Sequence, residues 1–125
     1  MGAGVSHWPA MALTGDVPVF EGALAGSLPW EEPPAAGADA PEQRSPLTFA
    51  RQITTPLLMV HGQCDERVPV SQSVGLYRAL RGGAVAVELV TYPREPHVLA
   101  ERRHLEDVLT RVRDWFARHL PVHPE

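Results

Sequence analysis

An α/β fold with parallel strands is predicted by three features of the 125-residue sequence. Residues 56–62 form a continuous apolar run that ends in His61-Gly62, which suits a strand covered on both faces. Residues 85–92 are rich in β-branched side chains and read as a second strand. Residues 101–120 carry Leu105, Val108, Leu109, Val112, Trp115, Phe116 and Leu120 at steps of three and four, a helical stripe with Arg103, Glu106, Arg113, Asp114 and Arg118 mostly elsewhere. A further helix is expected over residues 71–81, where Val74, Leu76, Tyr77 and Leu80 fall near helical spacing before the stop at Gly82-Gly83. The order strand, helix, strand, helix implies neighbouring parallel strands joined by crossovers.

The chain before this unit has a different character. Residues 1–53 are expected to be a Pro/Gly-rich irregular segment, and residues 54–121 the strand–helix–strand–helix unit, within one partial domain over 1–125. Over 11–21 a helical turn or two is allowed, but Gly15 and Pro18 oppose a long helix. Pro29, Pro33, Pro34, Gly37, Pro41 and Pro46 give residues 27–46 the composition of a loop. Ser45 followed by Pro46 is a capping signal for a short helical turn over 46–51. Pro121 ends the last helix.

Composition narrows the functional classes. The chain is 44% hydrophobic and 21% charged with a formal net charge of −4, a soluble-domain balance that offers no basic footprint for nucleic acid. No apolar run is long enough to span a bilayer. The N-terminus lacks a basic region followed by an apolar one, so no signal peptide is expected. The single cysteine, Cys64, rules out an intrachain disulfide and fits a reducing compartment, so a cytoplasmic location is the expectation.

In open parallel sheets, functional groups lie beyond the carboxyl ends of the strands. Two loops have that position: His61-Gly62-Gln63-Cys64-Asp65-Glu66-Arg67-Val68-Pro69, and Tyr92-Pro93-Arg94-Glu95-Pro96-His97. An Asp and a His there can form the carboxylate–imidazole pair of a catalytic triad, although Asp65 can equally serve a turn and His97 an exposed loop. His61 and Cys64 have H-x-x-C spacing but lack a second closely spaced ligand pair, so no metal site is assigned; His61 is read as the end of the buried strand. No cofactor is implied.

The same two loops resemble the prolyl oligopeptidase family of α/β-hydrolases, near its acylaminoacyl-peptidase and dipeptidyl-peptidase-like members. The resemblance extends to Ala3-Gly4-Val5-Ser6-His7-Trp8, which looks like a strand end in that family, to Ser45-Pro46-Leu47-Thr48-Phe49-Ala50 before the Asp strand, and to Trp115-Phe116-x-x-His119-Leu120 in the final helix. It implies the C-terminal portion of an α/β-hydrolase fold, with the N-terminal half of the sheet missing. It implies Asp65 as triad acid, His97 as triad base and Arg67 as a ligand for a substrate carbonyl, a role that competes with a simple brace for the loop. The family's nucleophile sits in a G-x-S-x-G elbow. None of Ser6, Ser27, Ser45, Ser71 and Ser73 has glycines at those offsets.

The function expected from the resemblance is that of a C-terminal piece of a serine-type peptidase, inactive alone, with a peptide substrate in the full-length context. Its expected partners are the missing N-terminal half or a second copy of itself, not nucleic acid or membrane. The alternatives are a non-catalytic remnant or interaction module, and a fragment of an α/β-hydrolase esterase.

Overall fold

The computed structural model describes residues 2–31 and 40–120. The proline-rich stretch at Pro33, Pro34 and Gly37 lies outside the described residues, as does Pro121. The first fifty residues contain more regular structure than their composition suggests: α1 spans Trp8–Thr14 and α2 spans Pro18–Ala25. The breakers bound these helices rather than abolish them. Pro9 and Pro18 occupy first-turn positions, where a missing N–H costs nothing. Gly26 closes α2 in the left-handed region at φ 92°. Two 3-10 segments follow, Pro41–Arg44 and Pro46–Gln52. Ser45 does not cap the second of these; it is fully buried, accepts from Trp8 N at 3.0 Å and donates to Pro41 O at 2.9 Å, tying the 3-10 segments to the start of α1.

Next come β1 (Leu57–Gly62), α3 (Ser71–Leu80), β2 (Val87–Tyr92) and α4 (Arg102–His119), in the expected order and within two residues of the expected bounds. The strands are parallel, in register from Leu57 opposite Val87 to Gly62 opposite Tyr92. On the other edge of β1, Ala3 N donates to Val60 O at 3.1 Å, and Gly2 makes one parallel bridge to Val60. The stretch expected as a strand end over residues 3–6 therefore contributes a single bridge, after which Ser6 is held by Gln72 of α3.

Alternation along β1 sorts its side chains between two faces. Leu57 and Met59 meet Leu76, Leu80 and Ala50 in the core beneath α3 and the second 3-10 segment. Leu58 and Val60 face a groove shared with Val112, Trp115 and Phe116 of α4. Tyr92 pins the end of β2 to α4 by donating to Asp107 Oδ2 at 2.8 Å. Burial and this bond to a carboxylate push the phenol up to about 12. Of the α4 stripe, Trp115 is buried but Leu109 and Phe116 remain largely exposed. Among the described residues, no helix is long and apolar enough to cross a membrane.

Candidate active site

Parallel pairing brings the carboxyl ends of β1 and β2 to one edge, and the two loops that leave them are tied together. Gln63 N donates to Tyr92 O at 2.8 Å, and Cys64 N donates to Glu95 O at 2.9 Å. Gly62 permits this approach: a Cβ there would collide with the carbonyl oxygens of Glu95 and Pro96. Arg94 turns the second loop with a left-handed φ of 65°.

Across this junction His97 Nδ1 lies 2.9 Å from Asp65 Oδ2. The Asp65 carboxylate is buried, whereas the His97 ring is 43% exposed, so the pair has a sheltered acid and an accessible imidazole. An ionised carboxylate only accepts hydrogen bonds, so Nδ1 carries the proton and neutral His97 has its lone pair on Nε2. That is the protonation pattern of a general base held by an acid. His97 also borders a cavity of about 260 Å³ with Ala3, His61, Gly62, Val98 and Leu99.

Asp65 is held on three sides. Its Oδ1 accepts from Val68 N at 2.9 Å, and its Oδ2 is also 3.2 Å from His61 Nε2. His61, at the end of β1, is completely buried; Cys64 is exposed. Arg67 is not at the Asp65–His97 contact: its Nη1 pairs with Asp16 Oδ1 at 3.2 Å, at the turn between α1 and α2.

Glu95 was invisible in the sequence as anything but a loop acid. It is almost fully buried, and its two oxygens accept from Ala100 N at 2.8 Å, Glu101 N at 2.9 Å and His104 Nδ1 at 2.7 Å. Burial pushes its carboxyl up, but the two amides and His104 outweigh burial and hold it below the usual range. Glu101, held low chiefly by its fork with Arg94, completes this cluster. Among the described residues, Glu95, Glu101 and His104 are those whose ligand atoms gather closely enough for a cation, yet Glu95 is engaged in closing the loop that carries His97. The signal that could have revealed it is its place two residues before His97, inside a turn whose amides need an acceptor.

Comparison with known proteins bears on the whole chain. The model of the prolyl oligopeptidase family matches residues 1–123. The acylamino-acid-releasing enzyme of Sus scrofa is 39% identical over 77 residues, covering 62% of this chain and 10% of that protein. An uncharacterized peptidase of Bacillus subtilis is 36% identical over 80 residues, covering 62% of this chain and 12% of that protein. Among solved structures, a puromycin-hydrolyzing peptidase of Mycobacterium tuberculosis superposes with a TM-score of 0.85 at 25% identity, over 99% of this chain and 18% of that one. The acylaminoacyl peptidase of Pyrococcus horikoshii superposes with a TM-score of 0.78 at 23% identity, over 99% of this chain and 20% of that one, a likeness of fold. The chain thus spans about a tenth of the length of the curated relatives it matches. Its two parallel strands with flanking helices are a portion of the α/β-hydrolase fold, and the chain belongs to the prolyl oligopeptidase family.

Proposed function

We propose that this chain supplies the acid and the base of a serine-type acyl transfer, with Asp65 as acid and His97 as base. The observation that carries this reading is the 2.9 Å contact between His97 Nδ1 and the buried Asp65 carboxylate at the carboxyl edge of the sheet. The nucleophile is a serine from a segment bearing the G-x-S-x-G elbow, a motif that the 125 residues do not contain. That serine attacks the substrate carbonyl while His97 Nε2 takes its proton. Asp65 keeps Nδ1 protonated and stabilises the imidazolium. His97 then returns the proton to the departing amine, and water repeats the cycle on the acyl-serine. Arg67 is assigned to a substrate carbonyl, a role that requires it to exchange Asp16 for substrate; Arg67→Ala then raises KM with kcat retained.

The name of the acylamino-acid-releasing relatives makes N-acylated peptides the first substrates to try. The chain by itself is expected to be inactive, since the motif for both nucleophile and elbow is not among its residues. Labelling with a fluorophosphonate probe tests the assignment. No serine of the chain alone should react. Joined behind an α/β-hydrolase segment that carries the elbow, the elbow serine should react, and His97→Ala should stop it. Labelling of Ser6, Ser27, Ser45, Ser71 or Ser73 in the chain alone would sink this reading and favour a different nucleophile.

A further inference from the structure

We propose that His61 is a positioning residue for Asp65: its Nε2–H, fixed by Val68 O, lies against the carboxylate oxygen that accepts from His97, and it acts through Val68, whose N–H holds the other carboxylate oxygen. The inference rests on the reading of Asp65 and His97 as an acid–base pair.

The hydrogen positions follow from the partners. His61 Nε2 lies 2.7 Å from Val68 O and 3.2 Å from Asp65 Oδ2. A carbonyl and a carboxylate both only accept, so Nε2 must carry a proton. In the neutral ring Nδ1 is then an acceptor, and Ser73 Oγ, 2.7 Å away, supplies the hydrogen. His61 and Ser73 are fully buried, so no water competes for these contacts. The Nε2–H is thus directed at Val68 O, with Asp65 Oδ2 beside it at 3.2 Å.

This arrangement closes a ring of contacts around the triad acid. Val68 N donates to Asp65 Oδ1 at 2.9 Å while Val68 O accepts from His61, which in turn reaches Oδ2. Rotation of the carboxylate would break its bond from Val68 N and move Oδ2 away from His97. Oδ2 is therefore held toward His97, which hydrogen-bonds it at 2.9 Å, with the His61 ring 3.2 Å away. β1 aims His61 at this task, because alternation along the strand puts it on the α3 face, where Ser73 sits in the first turn of the helix.

Imidazole ¹⁵N shifts read tautomers directly and test the proposal on the whole chain. At about pH 8, above the ordinary histidine value, His61 should be in the Nε2–H form and His97 in the Nδ1–H form. Finding His61 as Nδ1–H would overturn the proposal without any substitution. His61→Leu should shift His97 from Nδ1–H toward the Nε2–H form that free imidazole side chains prefer, and His61→Gln, which keeps an N–H donor, should restore the Nδ1–H form. An unchanged His97 tautomer in His61→Leu would also overturn it. Asp65→Asn separates this inference from the reading beneath it. If Asp65→Asn leaves His97 unchanged, the acid–base pair itself fails; if it shifts His97 while His61→Leu does not, only the role of His61 fails.

Discussion

The Asp65–His97 contact depends on how closely two loops can approach, and that is decided at Gly62. The carbonyl oxygens of Glu95 and Pro96 occupy the space a Cβ at this position would need. Both oxygens belong to backbone, so neither can swing aside as a flexible side chain would. Gly62→Ala should therefore cost about 1–3 kcal/mol, the usual range for overpacking, and move His97 away from Asp65. Denaturant unfolding together with the His97 tautomer checks this; an unchanged midpoint would mean the loop gives way freely. The His61-Gly62 end of the apolar run was legible in the sequence, because a strand that stops at a glycine announces the loop after it, and the order of the two strands put Asp65 and His97 in loops that the structure brings within 2.9 Å. Arg67 was legible only as a candidate. Its pairing with Asp16 joins residues from distant parts of the chain, which no local pattern encodes.

At the level of elements, the loop from β2 to α4 is closed by a buried carboxylate rather than by apolar packing. Glu95 takes the amides of Ala100 and Glu101 and the His104 ring, with Arg94 and Glu101 as the other charged groups of the cluster. Its folded pKa is lowered from the ordinary 4.5, so the folded form binds this proton more weakly than the unfolded form does. The stabilisation is complete above that ordinary value and is lost as pH falls through the lower folded pKa. Amide exchange at Ala100 and Glu101 should accordingly quicken, relative to the core of β1, as pH falls below about 4. Equal protection at pH 3 and pH 6, after correction for intrinsic rates, would remove Glu95 as the clamp. Glu95→Gln should loosen the loop at every pH, since its amide N–H₂ would face donors. A continuous apolar run foretold β1, β-branched content foretold β2, and helical spacing foretold α3 and α4. Over 11–21 the sequence allows only a helical turn or two, because single prolines and glycines read as breakers; the structure has two short helices there, with prolines in first turns and Gly26 as a cap.

For the molecule as a whole, the composition of α4 and its observed packing differ. The stripe is apolar from Leu105 to Leu120, yet Trp115 is the residue it buries, while Leu109 is 70% and Phe116 54% exposed. Exposed apolar side chains in this number on one helix face favour association with another apolar surface. Sedimentation of the chain should show concentration-dependent association, weakened by Leu109→Glu with Phe116→Glu; a strict monomer at all concentrations would contradict this. The central claim, that His97 is the base held by Asp65, is tested most directly by turnover. The measurement is kcat on an N-acylated peptide for the chain joined behind an elbow-bearing α/β-hydrolase segment. His97→Ala should lower kcat by several orders of magnitude and Asp65→Asn by about 10⁴, with each protein still folded by far-ultraviolet circular dichroism. A folded His97→Ala protein that turns over substrate at a near-normal rate would contradict it.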